Sequence, residues 1–170
     1  MSAPQNRQTG AVGIPAREDA AEGRTVRCAN KRILVVDDDP SVREMLGRVL
    51  VGESYLVWSA GNGVEALEIA ASIQIDLVLL DLNMPIKSGW DTFERLTADH
   101  PLLTVIIITA RPNQLFTALG SGVGALLEKP FDFPKLLQTV SDLLAESTEI
   151  KLARMAGRPV QFHYLPGQQK

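Results

Sequence analysis

Four continuous apolar runs, each stopped by a polar or charged residue, constrain the fold of this chain more than any other feature. They are Ile33-Leu34-Val35-Val36, Leu77-Val78-Leu79-Leu80, Val105-Ile106-Ile107-Ile108 and the shorter Ala125-Leu126-Leu127, with Tyr55-Leu56-Val57-Trp58 as a fifth. Runs without polar alternation suit strands covered on both faces, as in a parallel sheet. The segments between them carry helical spacing. Val42, Met45, Leu46, Val49 and Leu50 form one stripe, and Val64, Leu67 and Ala71 a second. Phe93 and Leu96 mark a third, Leu115, Phe116 and Leu119 a fourth, and Leu136, Leu137, Val140, Leu143 and Leu144 a fifth. Strand and helix alternate five times, the pattern of a doubly wound α/β domain.

In such a sheet the functional crevice lies beyond the carboxyl ends of the strands. The residues that follow the apolar runs are therefore the ones to read. They are Asp37-Asp38-Asp39, Asp81, Thr109-Ala110 and Lys129-Pro130. Carboxylates brought together repel, and each needs a raised pKa or a cation. Mg²⁺ resolves such a conflict, because it takes carboxylate, carbonyl and water oxygens in an octahedron. A carboxylate can also serve as a covalent phosphoacceptor. In that case the cation, a lysine and a hydroxyl can neutralise the charge of the incoming group.

Taken singly, these residues have plainer explanations. Asp39-Pro40-Ser41 reads as a helix start, with Asp39 as N-cap and Pro40 at the first helical position. A lone Asp at a strand end is usually a turn former. The joint placement of four such groups at successive strand ends is what points to a site, with Asp81 as the phosphoacceptor.

Composition excludes several other classes. The chain has 170 residues, 17 Lys+Arg against 20 Asp+Glu, and a formal net charge of −3. That balance argues against direct nucleic-acid binding, which rewards a strongly basic face. The single cysteine, Cys28, can form no intrachain disulfide, and one Cys with His100 and His163 makes no zinc quartet. Neither a signal peptide nor a membrane span is legible, so the expected location is the cytoplasm.

The motifs together resemble the receiver domains of bacterial two-component response regulators. The matching stretches are Ile33 to Asp39, Asp81-Leu82-Asn83-Met84-Pro85 with Ser88-Gly89, Ile107-Ile108-Thr109-Ala110 and Lys129-Pro130-Phe131. The resemblance implies a flavodoxin-like doubly wound five-stranded parallel sheet, order 2-1-3-4-5, with five helices. It implies that Asp37 and Asp38 are the paired metal-site acids, with Asp38 favoured as the direct ligand. Asp81 corresponds to the phosphorylated residue, and Asn83 would offer its backbone carbonyl to Mg²⁺. Thr109 matches the hydroxyl that turns toward the phosphoryl group, and Lys129 its ion-pair partner. The Lys129-Pro130 peptide is expected to be cis. Gly89 and Gly122 also sit where the family places glycine.

The implied function is that of a signalling module. A histidine kinase or phosphotransfer protein supplies the phosphoryl group, the domain catalyses transfer to its own Asp81, and a switched surface then meets a downstream effector protein. Apart from that self-catalysed transfer and later hydrolysis, no enzyme activity is expected. The chain departs from the family at Leu126, where an aromatic residue commonly stands. Arg111, two residues beyond Thr109, is a candidate for tuning phosphoryl lifetime or for ordinary surface solvation.

Residues 1–30 read as a disordered or weakly ordered leader, residues 31–146 as the receiver domain, and residues 147–170 as a C-terminal extension. The extension is too short for an effector domain, so none is expected on this chain. Ser147 to Met155 is expected to prolong the fifth helix, and Gly157-Arg158-Pro159 to break it. Val160 to Leu165 reads as a short strand or a docking segment, with a homodimer left open. Two other functions compete. A phosphohydrolase of the haloacid dehalogenase type also uses Asp and Mg²⁺, but it needs a second Asp where Asn83 stands. A regulator of DNA would need a separate partner to make the contact.

Overall fold

The computed structural model describes residues 30–84, 88–110 and 114–167, apart from the side chain of Phe116. The leader with Cys28, the tuning candidate Arg111, and Pro85 of the second motif lie outside the described residues. The chain runs β1 (Arg32–Val36), α1 (Pro40–Gly52), β2 (Leu56–Ala60), α2 (Gly63–Ser72), β3 (Leu77–Asp81) and α3 (Gly89–Asp99). It continues with β4 (Thr104–Thr109), α4 (Leu115–Gly120), β5 (Ala125–Glu128), α5 (Phe133–Leu144), α6 (Thr148–Met155) and β6 (His163–Leu165). All strand pairs are parallel, and the sheet order is β2-β1-β3-β4-β5-β6. The five-strand order expected from the sequence is embedded in it.

Every residue of β3 and β4 is buried, as continuous apolar runs require. Alternate side chains feed two separate core layers. Ile33, Val35, Leu77, Leu79, Ile106 and Ile108 meet Leu46, Leu50, Leu136, Val140 and Leu143 from α1 and α5. Leu34, Val36, Val78, Leu80, Ile107 and Leu126 meet Ala66, Ala70, Phe93, Leu96 and Ala118 from α2, α3 and α4. With helices on both faces, polar chemistry collects at the strand ends.

The helix starts follow from local side chains. Asp39 caps α1 by accepting from the Ser41 N–H at 2.8 Å, and Pro40 follows it, as the Asp-Pro-Ser order implies. Asn62 caps α2, Ser88 α3 and Asp132 α5. Three expectations need correction. Met45 is 37% exposed and is not a core residue, because Leu46 and Leu50 occupy the centre of the buried stripe and Val42 flanks it half-buried. Val64 and Leu119 likewise stand half-exposed on the outer sides of their helices. The third correction concerns the extension. Instead of prolonging α5, Ser147 starts a separate helix by accepting from the Ile150 N–H, so there are six helices among the described residues.

Gly157, at φ +65°, lets the chain turn after α6, and β6 then returns along β5. The sixth strand is thus the extended segment suggested by the sequence, used within the sheet. Arg154 on α6 is buried and pairs with Glu146, fastening α6 to the end of α5. Trp90 and Phe93 pack edge to face at 5.8 Å, which accounts for both aromatics as packing residues. Among the described residues no helix is long and apolar enough to cross a membrane.

Gly89 is required by close approach. A Cβ there would lie 2.5 Å from the Leu82 Cα and 2.6 Å from the Asp81 carbonyl oxygen, both backbone atoms. Replacing Gly89 with Ala is expected to destabilise the protein by about 1–3 kcal/mol through overpacking. Urea unfolding should show a lower midpoint with an unchanged slope.

Candidate functional site

The carboxyl ends of β1, β3, β4 and β5 bring Asp37, Asp81, Thr109 and Lys129 to one edge of the sheet. Asp37 is 1% exposed, Asp81 2% and Thr109 fully buried, while Asp38 stands exposed at the mouth. Carboxylate oxygens of Asp37, Asp38 and Asp81 lie within 4.8 Å of one another. The Lys129 ammonium donates to Asp37 Oδ2 and to Asp81 Oδ2, each at 2.8 Å. The remaining oxygens of the two buried acids are held by backbone. The Asp39 N–H donates to Asp37 Oδ1 and the Asn83 N–H to Asp81 Oδ1, both at 2.9 Å.

This arrangement compensates two buried negative charges with one shared cation and directed hydrogen bonds. The Lys129-Pro130 peptide is cis, as the motif implies. The Lys129 N–H donates to the Thr109 carbonyl at 2.8 Å, extending the β4–β5 ladder to the residue that carries the ammonium. Burial pushes the Asp37 carboxyl above its ordinary value of 3.8, and the Asp81 charge adds to this. Lys129 and the Asp39 N–H pull in the other direction and are outweighed. Burial also works to lower the Lys129 ammonium, but its hydrogen bonds to Asp37 and Asp81 carry it above 10.5.

The donor set suits a hard divalent cation. It offers three carboxylates, with one side open at Asp38 for water ligands. Asp37, Asp38, Asp81, Thr109 and Lys129, singled out from the sequence, therefore lie together at one edge of the sheet. Leu126 is the exception by design of the fold: it is fully buried in the core layer facing α2, α3 and α4.

Two contributors, Arg43 and Glu128, were not singled out from the sequence. The Arg43 guanidinium, one turn into α1, donates to the carbonyls of Asp37 at 2.7 Å and Asp38 at 3.1 Å, so it pins the acidic loop from below. Glu128, beside Lys129, receives the Tyr164 hydroxyl at 2.8 Å and the Gly167 N–H at 3.3 Å. Only the Asp39 cap, four residues before Arg43, hints that this arginine faces the loop.

Comparison with known proteins agrees with this geometry. Residues 33–141 match the family model described as response regulator receiver domain. The response regulator MprA of Mycobacterium avium is 35% identical over 149 residues, which is 82% of this chain and 65% of the relative. Its namesake in Mycobacterium ulcerans is 40% identical over 115 residues, 66% of this chain and 50% of that protein. The chain thus spans about half to two thirds of the length of these curated relatives. Among solved structures, the response regulator protein TrrA from Thermotoga maritima in complex with Mg²⁺-BeF is 35% identical with a TM-score of 0.63. That match covers 66% of this chain and 98% of TrrA. The chemotaxis protein CheY4 of Vibrio cholerae is 28% identical with a TM-score of 0.64, covering 68% of this chain and 99% of that one. These matches do not favour a haloacid dehalogenase type of phosphohydrolase.

The raised carboxyl of Asp37 has a pH consequence. A group whose folded pKa exceeds its unfolded value stabilises the fold below the unfolded value, and that gain is lost as pH rises through the folded one. Metal-free wild type is therefore expected to lose this contribution progressively as pH rises above the ordinary carboxyl value of 3.8. Asp37→Asn, neutral throughout, should not. Urea midpoints of the two proteins across this range check it, the variant gaining relative to wild type as pH rises.

Proposed function

Because the chain belongs to the response regulator receiver domain family, we propose that it works by accepting a phosphoryl group on Asp81. The observation that carries this reading is the Lys129 ammonium held 2.8 Å from both Asp37 and Asp81. It leaves Asp81 oriented and adjacent to a cation already aimed at its oxygen. The donor is a phosphohistidine on a histidine kinase or phosphotransfer protein. An Asp81 carboxylate oxygen attacks phosphorus, the P–N bond breaks, and the imidazole nitrogen leaves with the electron pair.

Asp37 and Asp38, with Asp81 and the Asn83 carbonyl, would hold Mg²⁺, with Asp38 as the ligand nearest solvent. When bound, the ion neutralises charge on the transferring group. The chain's own residues do the rest. Lys129 exchanges one carboxylate partner for a phosphoryl oxygen, and the Asn83 N–H keeps the Asp81 carboxyl in its plane. Arg43 fixes the loop from which Asp37 and Asp38 project. Thr109, buried at the end of β4, supplies a hydroxyl to the added group. The acyl phosphate carries about −2 charges where the carboxylate carried one, and its oxygens extend into a buried edge, which is enough to bias a two-state surface read by an effector protein.

In this reading residues 31–146 form the signalling unit, residues 1–30 a leader, and residues 147–170 an extension added to it. The protein works in the cytoplasm, makes no direct contact with nucleic acid and has no turnover beyond its own phosphorylation and hydrolysis. Acetyl phosphate with Mg²⁺ should add one phosphoryl mass to wild type and none to Asp81→Asn. Lys129→Ala should lower the transfer rate about 100-fold, the scale for losing one preorganised charge-stabilising group. Equal labelling of wild type and Asp81→Asn, or no labelling of wild type, would overturn the proposal.

A further inference from the structure

The C-terminal segment reaches the same dipeptide that carries the site ammonium. β6 lies along β5 with Ala125 opposite His163, Leu126 opposite Tyr164 and Leu127 opposite Leu165. Covering an edge strand would by itself explain that pairing. It does not explain what happens beyond the ladder. Both carboxylate oxygens of Glu128 are engaged by the extension, one by the Tyr164 hydroxyl and one by the Gly167 N–H. Gly167 then lies against the next peptide. A Cβ at this position would be 2.7 Å from the Lys129 carbonyl oxygen and 3.2 Å from its carbonyl carbon. Only glycine permits that approach.

Glu128 and Lys129 are thus gripped from two sides. On the inner side the Lys129 N–H bonds the Thr109 carbonyl and its ammonium bonds Asp37 and Asp81. On the outer side Tyr164 and Gly167 hold the flanking carboxylate and pack on the carbonyl. The outer grip is shallow: Tyr164 is 40% exposed, and β6 has only three residues. A short, exposed element of this kind opens at low cost, so its docking can respond to modest changes at its contacts.

We propose that residues 163–167 are a positioning element for Lys129, coupled in both directions to the occupancy of the acidic pocket. The proposal rests on the reading of Asp81 as phosphoacceptor. A docked extension fixes the Lys129 backbone, so the ammonium meets an added phosphoryl oxygen without first having to order its own chain. Linkage makes the effect reciprocal. A group on Asp81 that engages Lys129 must strengthen the docking of β6, and loosening β6 must weaken the hold on that group.

The test uses the full chain, saturating Mg²⁺ and beryllofluoride as the phosphoryl mimic. Gly167→Ala and Tyr164→Phe are each expected to weaken beryllofluoride binding, with Gly167→Ala lowering affinity about 5-fold. Mg²⁺ affinity measured alone should change less, because the extension reaches the metal-site acids only through Lys129, whose ammonium bonds Asp37 and Asp81. In wild type, the Tyr164 and Leu165 amides should exchange more slowly with beryllofluoride bound, and this slowing should vanish in Asp81→Asn. Should Gly167→Ala fail to fold, Tyr164→Phe removes a single hydroxyl and still reports. A purely structural role would leave beryllofluoride affinity unmoved in both variants, or move it in step with Mg²⁺ affinity; either result overturns the inference. Wild type that binds no beryllofluoride and takes no label from acetyl phosphate would overturn the phosphoacceptor reading itself. Wild type that does both, alongside variants identical to it, would overturn only the role of the extension.

Discussion

One ammonium shared between two buried carboxylates organises this protein's functional edge. Lys129 bridges Asp37 and Asp81 at 2.8 Å each, across loops that follow three different strands. Burial beside each other penalises both acids and the shared cation offsets that penalty, while the hydrogen bonds to the two acids raise the Lys129 ammonium against the opposing effect of burial. Removing Lys129 leaves two buried carboxylates uncompensated. The backbone donors from Asp39 and Asn83, and Arg43 on the loop carbonyls, keep the cluster in a single geometry.

The sheet makes this economical. In an all-parallel sheet covered on both faces, the strand interiors must be apolar, and polar chemistry is pushed to the ends. The four apolar runs end within one residue of one another in the sheet register, so the residues at their ends meet without any long-range loop having to find its place. Gly89 lets α3 press against the Asp81–Leu82 backbone, which fixes the height of Asp81 relative to its neighbours. The buried site residues thus sit directly on the core beneath them, while β6 beside them has only three residues.

The strands, the two-faced burial and the pocket residues were legible because they rest on continuous apolar runs and on the chemistry of their last residues. Ile106 and Ile108 face one layer and Ile107 the other, as period two requires. Met45, by contrast, read as core because helical spacing admits a wide stripe, and only packing against the sheet decides its margin. The separate start of α6 was hidden in Ser147, one capping hydroxyl inside an apolar-periodic stretch. Arg43, Glu128 and Gly167 act through contacts distant in sequence or with backbone carbonyls, which leave no pattern of spacing. Leu126 shows where a motif position is filled by a buried core side chain. Its successors Glu128 and Lys129 are where the extension attaches.

Identifying the atom that carries the phosphoryl group goes to the heart of this. After reaction with acetyl phosphate and Mg²⁺, borohydride reduction of an acyl phosphate converts the bearing aspartate to homoserine, which peptide mass spectrometry locates. Homoserine at position 81 alone is the expected result. Homoserine at Asp37 or Asp38, or at no acidic residue in a protein that has nonetheless gained a phosphoryl group, would contradict the role given to Asp81.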